Sequence, residues 1–254
     1  MKIFLVGTNG AMGQAINNLC KKTEDVSILA GMDLEDKNLY SYPIYTNIQD
    51  IPKDLDFDVI IDFSHPAFCA QTVNLARQHK KPLVYATTGL NDEDIKLLDE
   101  LSKEVALFRS SNMSLGVNLV INLAKQAAKF LYDDFDIEII EKHHNKKIDA
   151  PSGTALTMAK EINKTLDNKM NFVYERESKR EKRDKKEIGI HSIRGGTIVG
   201  EHDILFAGND ETITLSHQAT SKEVFAKGAL RAGQFIKDLS PGLYGMNNLL
   251  ASVD

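Results

Sequence analysis

The residues best suited to do chemistry together lie in Glu138–Ala155 (EIIEKHHNKKIDAPSGTA). There His143 and His144 are adjacent, Lys147 follows His143 by four residues, and Asp149 and Pro151-Ser152-Gly153-Thr154 directly precede a helical pattern. An imidazole exchanges protons near neutral pH, and a lysine ammonium both pairs with a carboxylate and delivers a proton. Ser152, Gly153 and Thr154 at a helix start offer N–H groups and hydroxyls to an anion such as a carboxylate. The segment therefore reads as an anion site with acid/base groups. A plainer reading stands beside it: two structural histidines, and Lys147 as one of three lysines, with Lys142 and Lys146, on a hydrated loop. No metal is expected. Zinc would want a nearby cysteine or an i,i+4 histidine partner, and Asp149 fits common ligand spacings poorly.

A second chemistry-bearing stretch is Gly7-Thr8-Asn9-Gly10-Ala11-Met12-Gly13. Glycines allow a tight strand-to-helix turn and close approach of backbone to a pyrophosphate, which then sits on the helix N-terminus. The spacing is G-x-x-G-x-x-G rather than G-x-G-x-x-G, so the context matters more than the motif; an ordinary glycine-rich turn is the alternative. The stretch follows the apolar run Lys2–Val6 and opens a helical pattern over Ala11–Cys20. Asp33 lies 20 residues beyond Gly13, where a carboxylate accepts hydrogen bonds from a ribose diol. Asp33 is followed by Leu34, Glu35 and Asp36, with Lys37 the only nearby base. Those acids repel a 2′-phosphate, so NADH is the expected cofactor in preference to NADPH, which stays an alternative. Three strand ends would line the same crevice if the sheet is parallel: Phe63-Ser64-His65, Ala86-Thr87-Thr88-Gly89 and Ser110-Ser111-Asn112-Met113. Taken singly, each also reads as a turn.

The elements that must position these groups follow from periodicity. Short apolar runs at Lys2–Val6, Ser27–Ala30, Val59–Ile61, Leu83–Ala86 and Val105–Phe108 alternate with helical patterns at Ala11–Cys20, Ala67–His79 and Asn91–Ser102. Such alternation predicts βαβ units and a parallel, Rossmann-type sheet over residues 1–112. Beyond it come a long helix, Leu115–Tyr132, with Leu115, Leu119, Leu123, Ala127 and Phe130 at helical spacing, then a strand at Ile137–Ile140 and a helix from Thr154 to about Leu166. Successive strands at Ile188–Ile193, Ile198–Phe206 and Thr212–Ala219 predict a second α+β domain, residues 113–224, with an open mixed sheet. Lys222–Asp238 is a last helix and the terminal PGLYGM a loop. Glu175–Glu187 (ERESKREKRDKKE), with seven bases and five acids, reads as a solvated loop or, less simply, as an anion-steering lid.

Composition bounds the function. With 254 residues, 42% hydrophobic and 26% charged, the chain can bury a core and is not disordered. Its 31 basic and 36 acidic side chains leave a net charge of −5, which argues against a general nucleic-acid binder. Two cysteines, Cys20 and Cys69, make no disulfide framework, and reduced thiols fit the cytoplasm. No apolar run reaches the roughly 18 residues of a membrane span, and the first apolar run is short for a signal peptide, so a soluble cytoplasmic protein is expected.

The motifs GTNGAMG, IDFSHP, ATTGL, SSNMSLGVN, EIIEKHHNKKIDAPSGTA and SIRGGTIVGEHDILFAG together resemble the 4-hydroxy-tetrahydrodipicolinate reductase (dihydrodipicolinate reductase) family of the diaminopimelate route to lysine, over essentially the whole chain. The resemblance implies that His143 is a proton donor/acceptor and Lys147 a proton donor. It implies that His144, Gly153 and Thr154, with Ser152 beside them, bind the carboxylates of a small dicarboxylate substrate. Gly7, Thr8, Asn9, Gly10, Ala11, Met12, Asp33, Ala86, Thr87, Thr88, Ser110, Ser111, Asn112 and Met113 match the dinucleotide contacts. The implied reaction is hydride transfer from the nicotinamide to C4 of a cyclic imine dicarboxylate with loss of the 4-hydroxyl as water, in a homotetramer whose domains close on the substrate. The family's last helix returns to the nucleotide domain, which implies that residues 225–254 join 1–112. Ala11 and His65 stand where many members carry a basic residue, and the Glu175–Glu187 loop is poorer in glycine than usual. Two other readings remain at this point: a different two-domain nicotinamide-dependent dehydrogenase of amino-acid metabolism, and a non-catalytic NADH-sensing regulator.

Overall fold

The structure, a computed structural model, describes residues 1–252. The chain divides into a first unit, Met1–Leu115 together with the chain from Lys222 onward, and a second, Gly116–Ser221. In chain order the elements before the long helix are β1 (Lys2–Val6), α1 (Ala11–Cys20), β2 (Ser27–Met32), β3 (Ile44–Tyr45), β4 (Val59–Asp62), α2 (Cys69–His79), β5 (Leu83–Tyr85), α3 (Asp92–Leu101) and β6 (Ala106–Arg109). Next come α4 (Leu115–Leu131), β7 (Asp136–His143), α5 (Gly153–Thr165), β8 (Asn171–Val173), β9 (Glu187–Arg194), β10 (Gly200–Ala207) and β11 (Thr212–Ala219). The chain ends with α6 (Glu223–Ile236), β12 (Gly242–Tyr244) and α7 (Met246–Ala251).

In the first unit seven strands pair in the order β12-β6-β5-β4-β1-β2-β3, every pair parallel. The apolar run of β1 is continuous because both of its faces are covered. Ile3 and Leu5 pack with Ile16 of α1 and Ala229 of α6, while Phe4 and Val6 pack with Val73 of α2 and Leu98 of α3. Strand order reverses between β1 and β4, and the carboxyl ends there form the crevice where such sheets bind ligands. The terminal PGLYGM, expected as a loop, instead supplies β12, which pairs with β6 through Gly242↔Ala106 and Leu243↔Leu107, and leads into α7. Three residues are too few to show a period; the open edge of β6 selects them.

The second unit holds a five-stranded mixed sheet, β11-β10-β7-β9-β8. Strand β7 is parallel to β9 and antiparallel to β10. It alternates strictly, burying Ile137, Ile139, Glu141 and His143 on one face. The same parity that directs two isoleucines into the core thus carries a carboxylate and an imidazole inward. The apolar spacing of α4 is real, but its buried face is Val117, Ile121, Ala124 and Ala128; Leu119, Leu123 and Phe130 are exposed, Phe130 by 86%. The helix carries two apolar stripes, and the sheet takes the one whose alanines allow close approach. The charged stretch is less free than a solvated loop or a lid. Arg183 donates to Asp136, Glu138 and the Ile137 and Glu187 carbonyls, and Arg176 pairs with Glu138 and Glu187.

Candidate active site

In the first unit the glycine turn is shaped by collisions it avoids. Gly7 has φ +81°, and a Cβ there would lie 2.6 Å from the Phe63 carbonyl oxygen; one on Gly13 would run into the Gly7 and Thr8 carbonyls. A Cβ on Gly10 would approach nothing closer than 3.4 Å, so the space above this helix start is open to a ligand. Asp33, at the end of β2, accepts the Asn9 N–H at 2.7 Å with Oδ2 and the Leu34 N–H at 2.8 Å with Oδ1. Each oxygen keeps lone-pair capacity for a ribose hydroxyl. These features suit a dinucleotide: a tight turn at a helix N-terminus and a carboxylate pinned beside it. Thr8, expected at the cofactor, is instead fully buried, its hydroxyl donating to the Leu5 carbonyl and its own carbonyl accepting the Tyr40 hydroxyl at 3.2 Å.

Across the strand-order reversal, Thr87, Thr88, Ser110 and Ser111 line a cavity of about 190 Å³ with Arg109 and Leu90. The side chains of Ala86 and Met113, expected at the cofactor, pack into the core instead, 8% and 2% exposed. A strand end turns alternate side chains inward, so at these positions only backbone is left for a ligand. Asn112 accepts the Ser114 N–H with its side-chain oxygen at 2.9 Å, at the start of α4.

In the second unit the inward end of β7 forms a connected site. His143 Nδ1 lies 2.5 Å from Glu141 Oε2. Arg194 binds both Glu141 oxygens at 2.8 Å, and the Ser152 N–H donates to Oε1 at 3.0 Å. Burial pushes the Glu141 carboxyl up, but Arg194, His143, the Ser192 hydroxyl and the Ser152 N–H outweigh it and hold it down at about 2. An ionised carboxylate can only accept, so His143 carries its proton on Nδ1, and in the neutral ring Nε2 is the basic nitrogen. Burial also holds the His143 imidazolium below its ordinary range despite Glu141. Gly200 leaves room beside Nε2, where a Cβ would come within 3.1 Å.

Around this core, Lys147 pairs with Asp149 at 2.8 Å, and Arg194 also donates to the Asp149 carbonyl. His202 lies edge-on to His143 with ring centroids 5.2 Å apart, its own pKa pushed down to about 4, chiefly by burial. His144 follows at the strand end with Nδ1 buried and unpartnered among the described residues. Gly153 is exposed with open space beyond it, and Thr154 is half-buried beside it. Ser152 departs from the expectation of a substrate-binding residue. It is 2% exposed, its N–H is taken by Glu141, and its hydroxyl caps α5 through the Ala155 N–H and meets His202 Nε2 at 3.0 Å. A capping hydroxyl must point back over its own helix start.

Sequence reasoning therefore brought His143, Lys147, His144, Gly153 and Thr154 to one place but missed Glu141, Arg194 and His202. Glu141 was legible: two residues before His143 on a strand, it shares a face. Arg194 and His202 depend on register, since β9 sets Arg194 opposite His143 and β10 sets His202 opposite Glu141. Among the described residues no group of three His, Cys, Asp or Glu side chains is arranged to hold a metal, and no helix is long and apolar enough to cross a membrane.

Comparison with known proteins bears directly on this arrangement. Residues 1–113 match the family described as "Dihydrodipicolinate reductase, N-terminus", and residues 116–250 match "Dihydrodipicolinate reductase, C-terminus". The chain belongs to the dihydrodipicolinate reductase family. It is 48% identical over 252 residues to the 4-hydroxy-tetrahydrodipicolinate reductase of Caldanaerobacter subterraneus subsp. tengcongensis, covering 98% of each chain. A relative of the same name from Clostridium botulinum is also 48% identical, over 253 residues and 98% of each chain. The solved dipicolinate-bound dihydrodipicolinate reductase from Paenisporosarcina sp. TG-14 superposes with a TM-score of 0.82 at 26% identity, covering 98% of each chain. As a dihydrodipicolinate reductase the protein is an NAD(P)H-dependent oxidoreductase of lysine biosynthesis through diaminopimelate, which reduces 4-hydroxy-tetrahydrodipicolinate. The aspartate dehydrogenase of Thermotoga maritima shares the fold alone, with a TM-score of 0.52 at 11% identity. Neither a different dehydrogenase nor a non-catalytic sensor is needed to account for the chain.

Proposed function

We propose that this dihydrodipicolinate reductase works with NADH in preference to NADPH and that His143 and Lys147 carry its proton chemistry. The observation that supports this most is the Glu141–His143–Arg194 arrangement, which fixes the tautomer of one imidazole beside a lysine and an exposed helix start. Bound reduced nicotinamide supplies the hydride. The chain's own residues do the rest. The α5 N-terminus at Gly153 and Thr154, His144 with its unspent nitrogen, and Lys147 hold the two carboxylates of the ring substrate. Lys147 exchanges Asp149 for a substrate carboxylate and delivers the proton that balances the hydride. His143 takes a ring proton at Nε2 and returns it to the departing 4-hydroxyl, which leaves as water. Ser152 positions α5 rather than touching substrate.

At the cofactor, Gly7, Asn9, Gly10, Ala11 and Met12 cradle the pyrophosphate, and Asp33 takes the ribose diol. Thr87, Thr88, Ser110, Ser111 and Asn112, with the backbone of Ala86 and Met113, hold the nicotinamide half. The preference for NADH rests on charge. Lys37, the one base near Asp33, is already paired with Glu35 at 3.1 Å, leaving nothing to offset Asp33 and Asp36 for a 2′-phosphate. The exposed stripe Leu119, Leu123 and Phe130 on α4 supports assembly into a homotetramer, and the free thiols Cys20 and Cys69 suit a cytoplasmic enzyme. The test is a coupled assay in which the upstream synthase supplies substrate and the two cofactors are titrated side by side. Substrate-dependent oxidation with the lower Kd for NADH is expected; equal or tighter NADPH binding overturns the preference.

A further inference from the structure

One fully buried carboxylate has no part in the chemistry above. Asp62 ends β4 at the strand-order reversal and is 0% exposed. Its Oδ1 accepts the Thr87 hydroxyl at 2.7 Å and the Ser64 hydroxyl and N–H at 2.8 and 2.9 Å; its Oδ2 accepts the Thr72 hydroxyl at 2.5 Å. These donors come from three places: the turn after β4, helix α2 and the end of β5. No cationic side chain is among these hydrogen-bond partners. A hydroxyl has one proton to give. Thr87 spends its proton on Asp62, and Ser64 gives its own to Asp62 at 2.8 Å in preference to the His65 carbonyl at 3.4 Å, so what they present on their other sides is lone pairs.

Topology says which end of a dinucleotide meets them. Asp33 stands at the end of β2, on one side of the reversal, and takes the adenosine ribose. The ends of β4 and β5 lie on the other side, where the nicotinamide riboside belongs. The nicotinamide carries an amide N–H₂, two donors in need of acceptors. We propose that Asp62 is a positioning residue for the nicotinamide end of the cofactor: by taking the hydroxyl protons of Thr87 and Ser64, it turns both strand ends into hydrogen-bond acceptors for the carboxamide, the donor group that ADP-ribose lacks. The proposal rests on the reading of Thr87 as a cofactor contact.

The experiment compares NADH with ADP-ribose, which lacks the nicotinamide, on wild type, Asp62→Ala and Asp62→Asn, with circular dichroism to establish folding. In Asp62→Ala, Kd and KM for NADH should rise about tenfold, the worth of one to two hydrogen bonds. ADP-ribose affinity should stay within about twofold. Asp62→Asn keeps one acceptor oxygen toward Thr87 and Ser64 and should recover most of the loss. Parallel loss of NADH and ADP-ribose marks a merely structural carboxylate and overturns the proposal; so does no loss of either. Should Asp62→Ala not fold, Thr87→Val against Thr87→Ser reads the same contact: selective loss of NADH in the valine variant with recovery in the serine variant supports it, and equal binding by both sinks it. Failure of wild type to bind ADP-ribose would count instead against the glycine turn and Asp33 as the dinucleotide site.

Discussion

Asp62 in the first unit and Glu141 in the second are both carboxylates with no exposed surface, both at the inner end of a strand that carries functional residues. Their surroundings differ in one respect. Asp62 is held by three hydroxyls and a backbone N–H, and burial, only partly opposed by those bonds, pushes its pKa up. Glu141 is held by a guanidinium and an imidazole as well as a hydroxyl and an N–H, and sits at about 2. Neutral donors around a buried carboxylate fix the direction of hydroxyls without moving charge. Charged partners fix the protonation state of a neighbour, here the tautomer of His143. The first arrangement suits recognition of a cofactor, the second suits proton transfer.

The largest effect that sharpens this contrast is on turnover. His143→Gln and Lys147→Ala should each lower kcat by about 10²–10⁴-fold, the usual worth of general acid/base catalysis, with NADH affinity nearly unchanged. Wild-type turnover in both would remove them from the mechanism. Arg194→Met comes next. It leaves Glu141 buried without its guanidinium, and losing one partner of a buried pair costs about 3–5 kcal/mol. Urea unfolding of the second unit is the measurement, and a loss under about 1 kcal/mol, the range of ordinary substitutions, would mean that His143 and the Ser152 N–H suffice.

Acid should weigh more heavily on the second unit than on the first. Glu141 stabilises the fold above its ordinary value of 4.5, and that contribution is lost as pH falls toward about 2. His202, buried neutral at about 4, disfavours the fold increasingly as pH drops below 6.5. For Asp62 the sign reverses, because a raised pKa means that protonation relieves its burial. In the first unit, the partly buried His79 is lowered by burial and pulls in the same direction as His202, while Asp56 and Glu104 are lowered as exposed ion pairs that count for little. Hydrogen exchange read by peptide should therefore show residues 116–221 losing protection first between neutral pH and about 4; simultaneous loss in the first unit would break the comparison. The smallest effect is that of Ser152→Ala. Loss of a helix cap should cost about 1 kcal/mol while KM for the substrate changes little. A large rise in KM would restore Ser152 as a substrate ligand.

Much of this was legible in the chain itself, for reasons that are local. The alternation of apolar runs and helical periods specifies a parallel sheet followed by a mixed one. Glycines at 7, 10 and 13 with Asp33 beyond them mark a turn and its carboxylate, and the segment His143 to Thr154 holds two imidazoles, Lys147 and a helix start within a dozen residues. These depend on backbone period and short spacing, which sequence encodes directly. The short strands β3, β8 and β12 escaped because two or three residues show no period.

What needed the tertiary structure is whatever joins distant residues. Register of β9 and β10 against β7 decided that Arg194 and His202 attend Glu141 and His143. Packing decided which stripe of α4 is covered, that Met113 and Ala86 turn into the core, and that Ser152 spends its hydroxyl on its own helix. Only the meeting of β4, α2 and β5 gave Asp62 its donors. A sequence states which groups the chain carries and which local shapes it favours; which of those groups lose water and find each other is settled by strand pairing and burial across many residues, where hydrogen-bond demand and close packing leave one arrangement.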